Sequence, residues 1–131
     1  MERIGDLMQS ADWKSEKHVP TLDAPDKVSK NELFEVKAQV GEEIAHPNTT
    51  EHHIRWIRLY FKPEDGKFPF EVASAEFNAH GESPAGANSG PIYSDPLVRV
   101  AIKLESSGTL YAVSYCNIHG LWEQSKKIDI E

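Results

Sequence analysis

Three short segments of the chain carry side chains of the types that bind metals in proteins. They are E-K-H-V-P (residues 16–20), H-P-N-T-T-E-H-H-I (46–54) and C-N-I-H-G-L-W (116–122). The candidate ligands are His18, His46, one of the adjacent His52 and His53, Cys116 and His119. A structural zinc site normally uses four protein ligands in a closed tetrahedron. Four imidazoles and one thiolate on one ion favour a redox metal of higher coordination number, such as iron, with a position left for a small molecule.

The spacing of the candidate residues limits which of them can bind the same ion, but it does not identify the full set of ligands. His52 and His53 cannot both face one ion from an ordinary strand, because adjacent side chains point to opposite faces. The residues alone do not choose between them. Cys116 and His119 are separated by two residues and followed by Gly120, so a tight turn can bring both to one ion. A lone cysteine in a strand is more often a small buried apolar residue, so this pair gains weight only beside the histidines.

The elements that position these segments are mostly strands. Alternating or β-branched and aromatic stretches predict strands at residues 34–40, 54–61, 68–79, 98–104, 110–116 and 122–130. Residues 4–13 have helical spacing over a short length, residues 15–26 are predicted to be a loop, and residues 80–91 a long flexible loop that contains His80 as an ordinary polar residue. The expected fold is all-β: an immunoglobulin-like antiparallel β-sandwich of about seven strands with a short N-terminal helix or loop, in a single domain over residues 1–131.

Composition excludes several classes of function. The net charge of −7 argues against nucleic-acid binding, which needs a basic face. No apolar run reaches 18 residues, so no membrane span is expected, and the acidic N-terminus does not resemble a secretory signal. A single cysteine cannot form an internal disulfide, which is typical of a protein in the reducing cytoplasm. An anionic substrate would need local positive charge to approach this acidic protein.

The three segments, in this order, resemble superoxide reductase, also called neelaredoxin, from about residue 16 to the C-terminus. Larger relatives, the desulfoferrodoxins, carry an additional N-terminal iron module with four cysteines. Because this chain has one cysteine, it resembles the single-iron class. The resemblance implies one mononuclear non-haem iron per chain, with four equatorial imidazoles and an axial thiolate. The implied ligands are His18, His46, His52, His119 and Cys116, a choice of His52 over His53 that rests on the resemblance.

Two further residues receive roles from the same resemblance. Glu16 matches the glutamate that closes the sixth iron position in the ferric state, and Lys17 matches a surface lysine near the open face. Judged without the family, Glu16 is a surface acid beside a solvated lysine. The implied reaction is one-electron reduction of superoxide to hydrogen peroxide. The resemblance also implies an external electron donor such as rubredoxin and a homotetramer.

The main alternative is a cupredoxin-like blue-copper electron carrier. Tyr115, Cys116 and His119 near a strand end also resemble the cupredoxin ligand loop. A copper site of that kind usually adds a weak axial methionine. No methionine follows Cys116, although Gln124 lies downstream, and the additional histidines favour iron. A sandwich with structural zinc, or a metal-free adhesion module, is a second alternative that does not explain four histidines in such motifs.

Overall fold

The computed structural model describes residues 2–131, which form one very short helix and eight strands. In chain order they are α1 (Ile4–Leu7), β1 (Pro20–Asp23), β2 (Lys27–Val28), β3 (Phe34–Val40), β4 (Ile54–Pro63), β5 (Phe70–Glu76), β6 (Leu97–Ile102), β7 (Gly108–Cys116) and β8 (Gly120–Ile130). The strands form a three-stranded sheet in the order β1-β3-β6 and a five-stranded sheet in the order β2-β8-β7-β4-β5. The predicted all-β sandwich is confirmed.

Two short strands raise the count above the predicted seven. The prediction of a loop over residues 15–26 is wrong at β1, which pairs with β3. A proline disfavours a central strand because it lacks an N–H, but Pro20 is the first residue of β1, where this donor is dispensable. Strand β2 is only two residues long and pairs with β8 in parallel, whereas the other pairs between strands are antiparallel.

The core lies between the two sheets and follows the alternation of the strands. Every second residue of β7 is buried, from Gly108 to Cys116. Ile57 and Leu59 of β4, Leu110 of β7 and Val36 of β3 are completely buried. Burial of each such side chain contributes about 1.5–3 kcal/mol relative to its exposure, so this packing fixes which face of each strand is turned inwards.

Strand register brings the three ligand segments to one end of the sandwich. Cys116, the last residue of β7, pairs with Ile54 at the start of β4 and with Gly120 at the start of β8. In the other sheet, Pro20 at the start of β1 pairs with Val40 at the end of β3. The segments before β1, between β3 and β4, and between β7 and β8 therefore meet at this end.

The long connection between β5 and β6 is folded back on itself. His80 and Tyr93 form an isolated bridge, and Gly81 N–H donates to Ile92 O at 3.1 Å. Gly90 N–H in turn donates to Gly81 O at 2.9 Å. We call residues 80–93 the support loop, because it packs beside the segment between β3 and β4. At the N-terminus, α1 has four residues and buries none of them. Among residues 2–131, no helix is long and apolar enough to cross a membrane.

Candidate metal centre

Four of the predicted ligands converge at the end of the sandwich where the segments meet. One donor atom from each of His18, His52, Cys116 and His119 lies within 4.8 Å of the other three. The Nε2 atom of His18 is 3.0 Å from Nδ1 of His119, and Cys116 Sγ is 3.8 Å from the same nitrogen. Two nitrogens that bind one ion at about 2.1 Å and at right angles would lie about 3.0 Å apart. The spacing is that of neighbouring ligands.

His46 borders this group from the segment between β3 and β4. Its ring centroid is 5.0 Å from that of His18 and 4.9 Å from that of His52. Both contacts are edge-on, with interplanar angles of 77° and 79°. The structure thus brings the rings of all four predicted histidines and the Cys116 thiol to one end of the sandwich, but His46 contacts the cluster through its ring and is not among the four donors that lie within 4.8 Å of one another.

Hydrogen bonds determine which nitrogen of two imidazoles faces the cluster. The ring Nδ1–H of His18 donates to Glu16 Oε1 at 2.6 Å, and that of His46 donates to Pro47 O at 2.6 Å. With the proton fixed on Nδ1, Nε2 of each ring carries the free lone pair. Metal-binding histidines in proteins are oriented by such hydrogen bonds on the opposite ring nitrogen.

Two nitrogens at the cluster lack any partner in the protein. Within the part of the chain that the structure describes, Nε2 of His46 and Nε2 of His52 are the buried side-chain nitrogen or oxygen atoms without a hydrogen bond. An unsatisfied buried polar group costs about 1–3 kcal/mol, and a metal ion would offset that cost. The residues therefore fit a metal ion.

Electrostatics keep the buried imidazoles in the form that binds metals. Burial lowers the pKa of His46 to about 4; coulombic repulsion by His18, His52 and Lys17 acts in the same direction, and the hydrogen bond to the Pro47 carbonyl opposes it. Burial likewise lowers the pKa of His52, with His119 as the next cause. Since metal binding requires neutral imidazole, both rings are ready to bind near pH 7.

The site has a protein side and a solvent side. Cys116 is completely buried, whereas His119 is exposed on the turn between β7 and β8. The backbone N–H of His119 points at Cys116 Sγ at 3.4 Å. Gly120 closes this turn with φ of +84°, a conformation that favours glycine. The cluster therefore has its thiol on the protein side and one of its imidazoles on the solvent side.

Glu16 and Lys17 lie next to the cluster without entering it. Glu16 accepts hydrogen bonds from the backbone N–H of His18 at 2.9 Å and from its ring. Burial raises the pKa of the Glu16 carboxyl, but the His18 bonds outweigh this and place the pKa below its usual value of 4.5. Its carboxylate therefore lies on the Nδ1 side of His18. A role for Glu16 as sixth ligand, and for Lys17 at the open face, stays a prediction.

Two residues that the sequence left without a role connect the ligand segments. Asn117 donates to Glu51 O at 2.8 Å and accepts from the backbone N–H of His53 at 2.9 Å, so it links the segment of His52 to that of Cys116. Trp122 is buried and stacks on the His18 ring, with ring centroids 5.1 Å apart and an interplanar angle of 17°. Its Nε1–H donates to His119 O at 3.3 Å. Their membership of the third ligand motif was the only signal in the sequence.

His53 takes the opposite direction from His52. Its ring lies flat against that of His80, with centroids 3.5 Å apart and an interplanar angle of 3°. Its Nδ1–H donates to Thr49 O at 2.9 Å.

In the copper alternative, Gln124 would be the axial ligand. Gln124 pairs with Ala112, four residues before Cys116 and about 13 Å away along the strand, so it cannot reach the cluster.

Comparisons with known proteins agree with this site. A family model described as desulfoferrodoxin matches residues 10–125. Neelaredoxin from Megalodesulfovibrio gigas is 55% identical over 129 residues, which cover 98% of this chain and 99% of that protein. Superoxide reductase from Pyrococcus furiosus is 50% identical over 126 residues, which cover 96% and 99%. The structure of superoxide reductase (neelaredoxin) from Archaeoglobus fulgidus in the reduced form superposes with a TM-score of 0.87 at 52% identity, and covers 95% of this chain and 99% of that one. The chain belongs to the desulfoferrodoxin family.

Proposed function

We propose that this protein is a superoxide reductase with one mononuclear iron per chain. The observation that carries the proposal is the convergence of three imidazoles and one thiol, with the His46 ring against them and with two buried nitrogens that have no protein partner. Imidazole and thiolate together suit iron, copper and zinc, and membership of the desulfoferrodoxin family favours iron among these. The proposed ligands are His18, His46, His52, His119 and Cys116.

Bound iron would supply the one-electron reduction of superoxide, which takes up two protons to give hydrogen peroxide. The protein prepares the ligands for that ion. Glu16 and the Pro47 carbonyl keep the protons of His18 and His46 on Nδ1. Burial keeps His46 and His52 neutral. Because four ligands are then uncharged and only the thiolate is anionic, a divalent ion at the site retains a net positive charge that attracts an anion.

Lys17 and Glu16 are the proposed catalytic residues around the open position. The Lys17 ammonium is close enough to contribute to the lowered pKa values of His46 and His52. Its positive charge would attract superoxide to an otherwise acidic protein. The Glu16 carboxylate, now hydrogen-bonded to the His18 ring, would be an additional ligand for oxidised iron, since hard ferric iron prefers oxygen ligands.

The electron donor would be a rubredoxin-like protein that docks at the ligand end. Ile118, on the turn between Cys116 and His119, is 59% exposed and offers an apolar contact next to two ligands.

We also propose a homotetramer, supported by the exposed Phe68 and Phe70, since exposed apolar side chains often mark contacts between subunits. The free thiol of Cys116 suits the reducing cytoplasm. Residues 1–131 would form one domain, consistent with the shared core of the two sheets.

Metal analysis combined with visible spectroscopy tests the proposal. Purified protein should contain about one iron per chain, and addition of superoxide to the reduced form should bring up a visible band and produce hydrogen peroxide. Cys116→Ser should remove that band, because the band depends on the thiolate. Stoichiometric copper after growth without excess copper would instead support the electron carrier. Zinc alone would require reloading with iron, and a reloaded protein that does not react with superoxide would overturn the proposal.

A further inference from the structure

The segment that carries His46 and His52 has no regular secondary structure. We call residues 46–53, between β3 and β4, the ligand loop. It has hydrogen bonds of its own, such as Thr49 N–H to His52 O at 2.9 Å. A segment of this kind needs external contacts if its side chains are to be held in the geometry that a metal requires.

His80 of the support loop contacts the ligand loop at three points. The Nδ1 side of its ring contacts Asn48, whose Oδ1 lies 3.0 Å away. The hydroxyl of Thr50 donates to the backbone carbonyl of His80 at 2.7 Å. Its ring lies against that of His53 with centroids 3.5 Å apart. Asn48 is two residues from His46 in the chain, and Thr50 and His53 flank His52 at two residues and one residue.

His80 is itself firmly held. It is 3% exposed, and its ring Nε2–H donates to Phe77 O at 2.6 Å, at the point where the chain leaves β5. The backbone N–H of His80 donates to Glu82 Oε1 at 2.6 Å. A second connection between the loops runs through Asn88, whose Oδ1 accepts from Thr50 N–H at 2.8 Å. His80 thus links the ligand loop to the end of a strand in the five-stranded sheet.

We propose that His80 is a positioning residue for the metal site. It holds the ligand loop so that Nε2 of His46 and Nε2 of His52 stay aimed at the cluster before the metal binds. The inference rests on the proposed function, because it concerns the same site. Preorganisation of this kind raises metal affinity by removing the cost of ordering the ligands on binding. The role differs from a general contribution to folding, which would leave the affinity of the folded protein unchanged.

Cobalt(II) titration of the metal-free protein tests the role. Cobalt bound to a thiolate gives an intense charge-transfer band, and competition with a chelator gives the dissociation constant. His80→Phe keeps a ring that can stack on His53 but loses both ring nitrogens, and His80→Gln keeps an amide donor but loses the ring. Each should weaken cobalt binding about tenfold or more, the range found when partners of metal ligands are removed. The charge-transfer band should broaden or shift.

A matched control separates position from stability. Ser107, at the end of the sandwich opposite Cys116, accepts a hydrogen bond from Ile130 N–H at 2.8 Å. Ser107→Ala should lower stability while leaving the cobalt dissociation constant within about twofold of wild type. Should His80→Phe fail to fold, Thr50→Val removes both bonds of this hydroxyl to the support loop, to the His80 carbonyl and from Asn88 N–H, and about three- to tenfold weaker binding is expected for each bond lost.

The outcomes keep the two proposals apart. If wild-type protein binds one cobalt with a thiolate band and every folded variant at His80 or Thr50 matches it within twofold, the positioning role is overturned and the proposed site stands. If wild-type protein itself gives no thiolate band, the proposed metal site fails, and the role of His80 fails with it. Weaker binding in these variants, with Ser107→Ala unchanged, supports the inference.

Discussion

His52 and His53 are neighbours in the chain, yet the fold places their rings in two different kinds of environment. His52 faces the metal cluster, and its buried Nε2 has no partner in the protein. His53 faces away, is 5% exposed, and is bound through Nδ1 to Thr49 O and through its ring to His80. The contacts of His53 stabilise the folded protein, whereas the unpaired Nε2 of His52 does not. The unpaired buried nitrogen of His52 favours a ligand role for this residue, and the satisfied contacts of His53 favour a structural one.

Replacement of His52 should have the largest effect and would test the first half of this contrast. His52→Gln removes one donor of the proposed site, so we expect metal affinity to fall by more than about 100-fold, with loss of superoxide reduction. The metal-free protein should unfold within about 1 kcal/mol of wild type, since no hydrogen bond of the His52 ring is lost. Metal content, activity and urea unfolding measure these effects. Retention of tightly bound metal by this variant would break the comparison.

Replacement of His53 should show the reverse pattern. His53→Gln loses the stacked contact with His80 and the bond to Thr49 O, so the free energy of unfolding should fall by about 1–3 kcal/mol. One metal per chain should still bind at micromolar concentration, because the donor atoms remain. Urea unfolding and metal analysis of the same preparation provide the check. A variant as stable as wild type but empty of metal would contradict this assignment.

The stability of the metal-free protein at low pH tests the state of a second buried ligand, His46. The folded pKa of His46 is about 4, below its ordinary value of 6.5, so the unfolded chain takes up a proton first as pH falls. The contribution of neutral His46 to stability is complete above pH 6.5 and is lost between pH 6.5 and 4. Metal-free protein should therefore lose about 1–2 kcal/mol of unfolding free energy between pH 7 and 5. The loss should be smaller in His46→Gln, and an equal loss in both proteins would assign it to other groups.

Replacement of Trp122 should have the smallest effect. Trp122 contacts two proposed ligands, His18 and His119, much as His80 contacts His53. Trp122→Phe keeps a ring against His18 and loses the bond from Nε1–H to His119 O. We expect unfolding free energy to fall by about 1 kcal/mol and the visible band of the metal-loaded protein to shift while metal remains bound. A thermal melt and an absorption spectrum suffice. An unchanged spectrum would limit Trp122 to core packing.

Strand prediction succeeded where the pattern is local. The alternation at residues 34–40 gave β3 with its observed bounds, because one face of that strand packs on the core and the other does not. It failed at β1, since the prolines of residues 15–26 suggested a loop and nothing local indicates pairing with β3. The glycine-rich composition of residues 80–91 predicted a flexible loop, whereas its hydrogen bonds to the ligand loop join residues 30 and 38 positions apart.

The sequence by itself determined the chemistry of the donors: one thiol and a group of histidines in three motifs that resemble one family. The resemblance had implied His52 rather than His53, which the residue types alone could not choose. Only the tertiary structure decided which ring nitrogen His18 and His46 present, and that Asn117 and His80 contact the ligand loop. The physical reason is the separation in sequence of the residues that interact. Residue types and short spacings act within a turn or a strand, whereas burial and hydrogen-bond partners come from segments that strand register brings together.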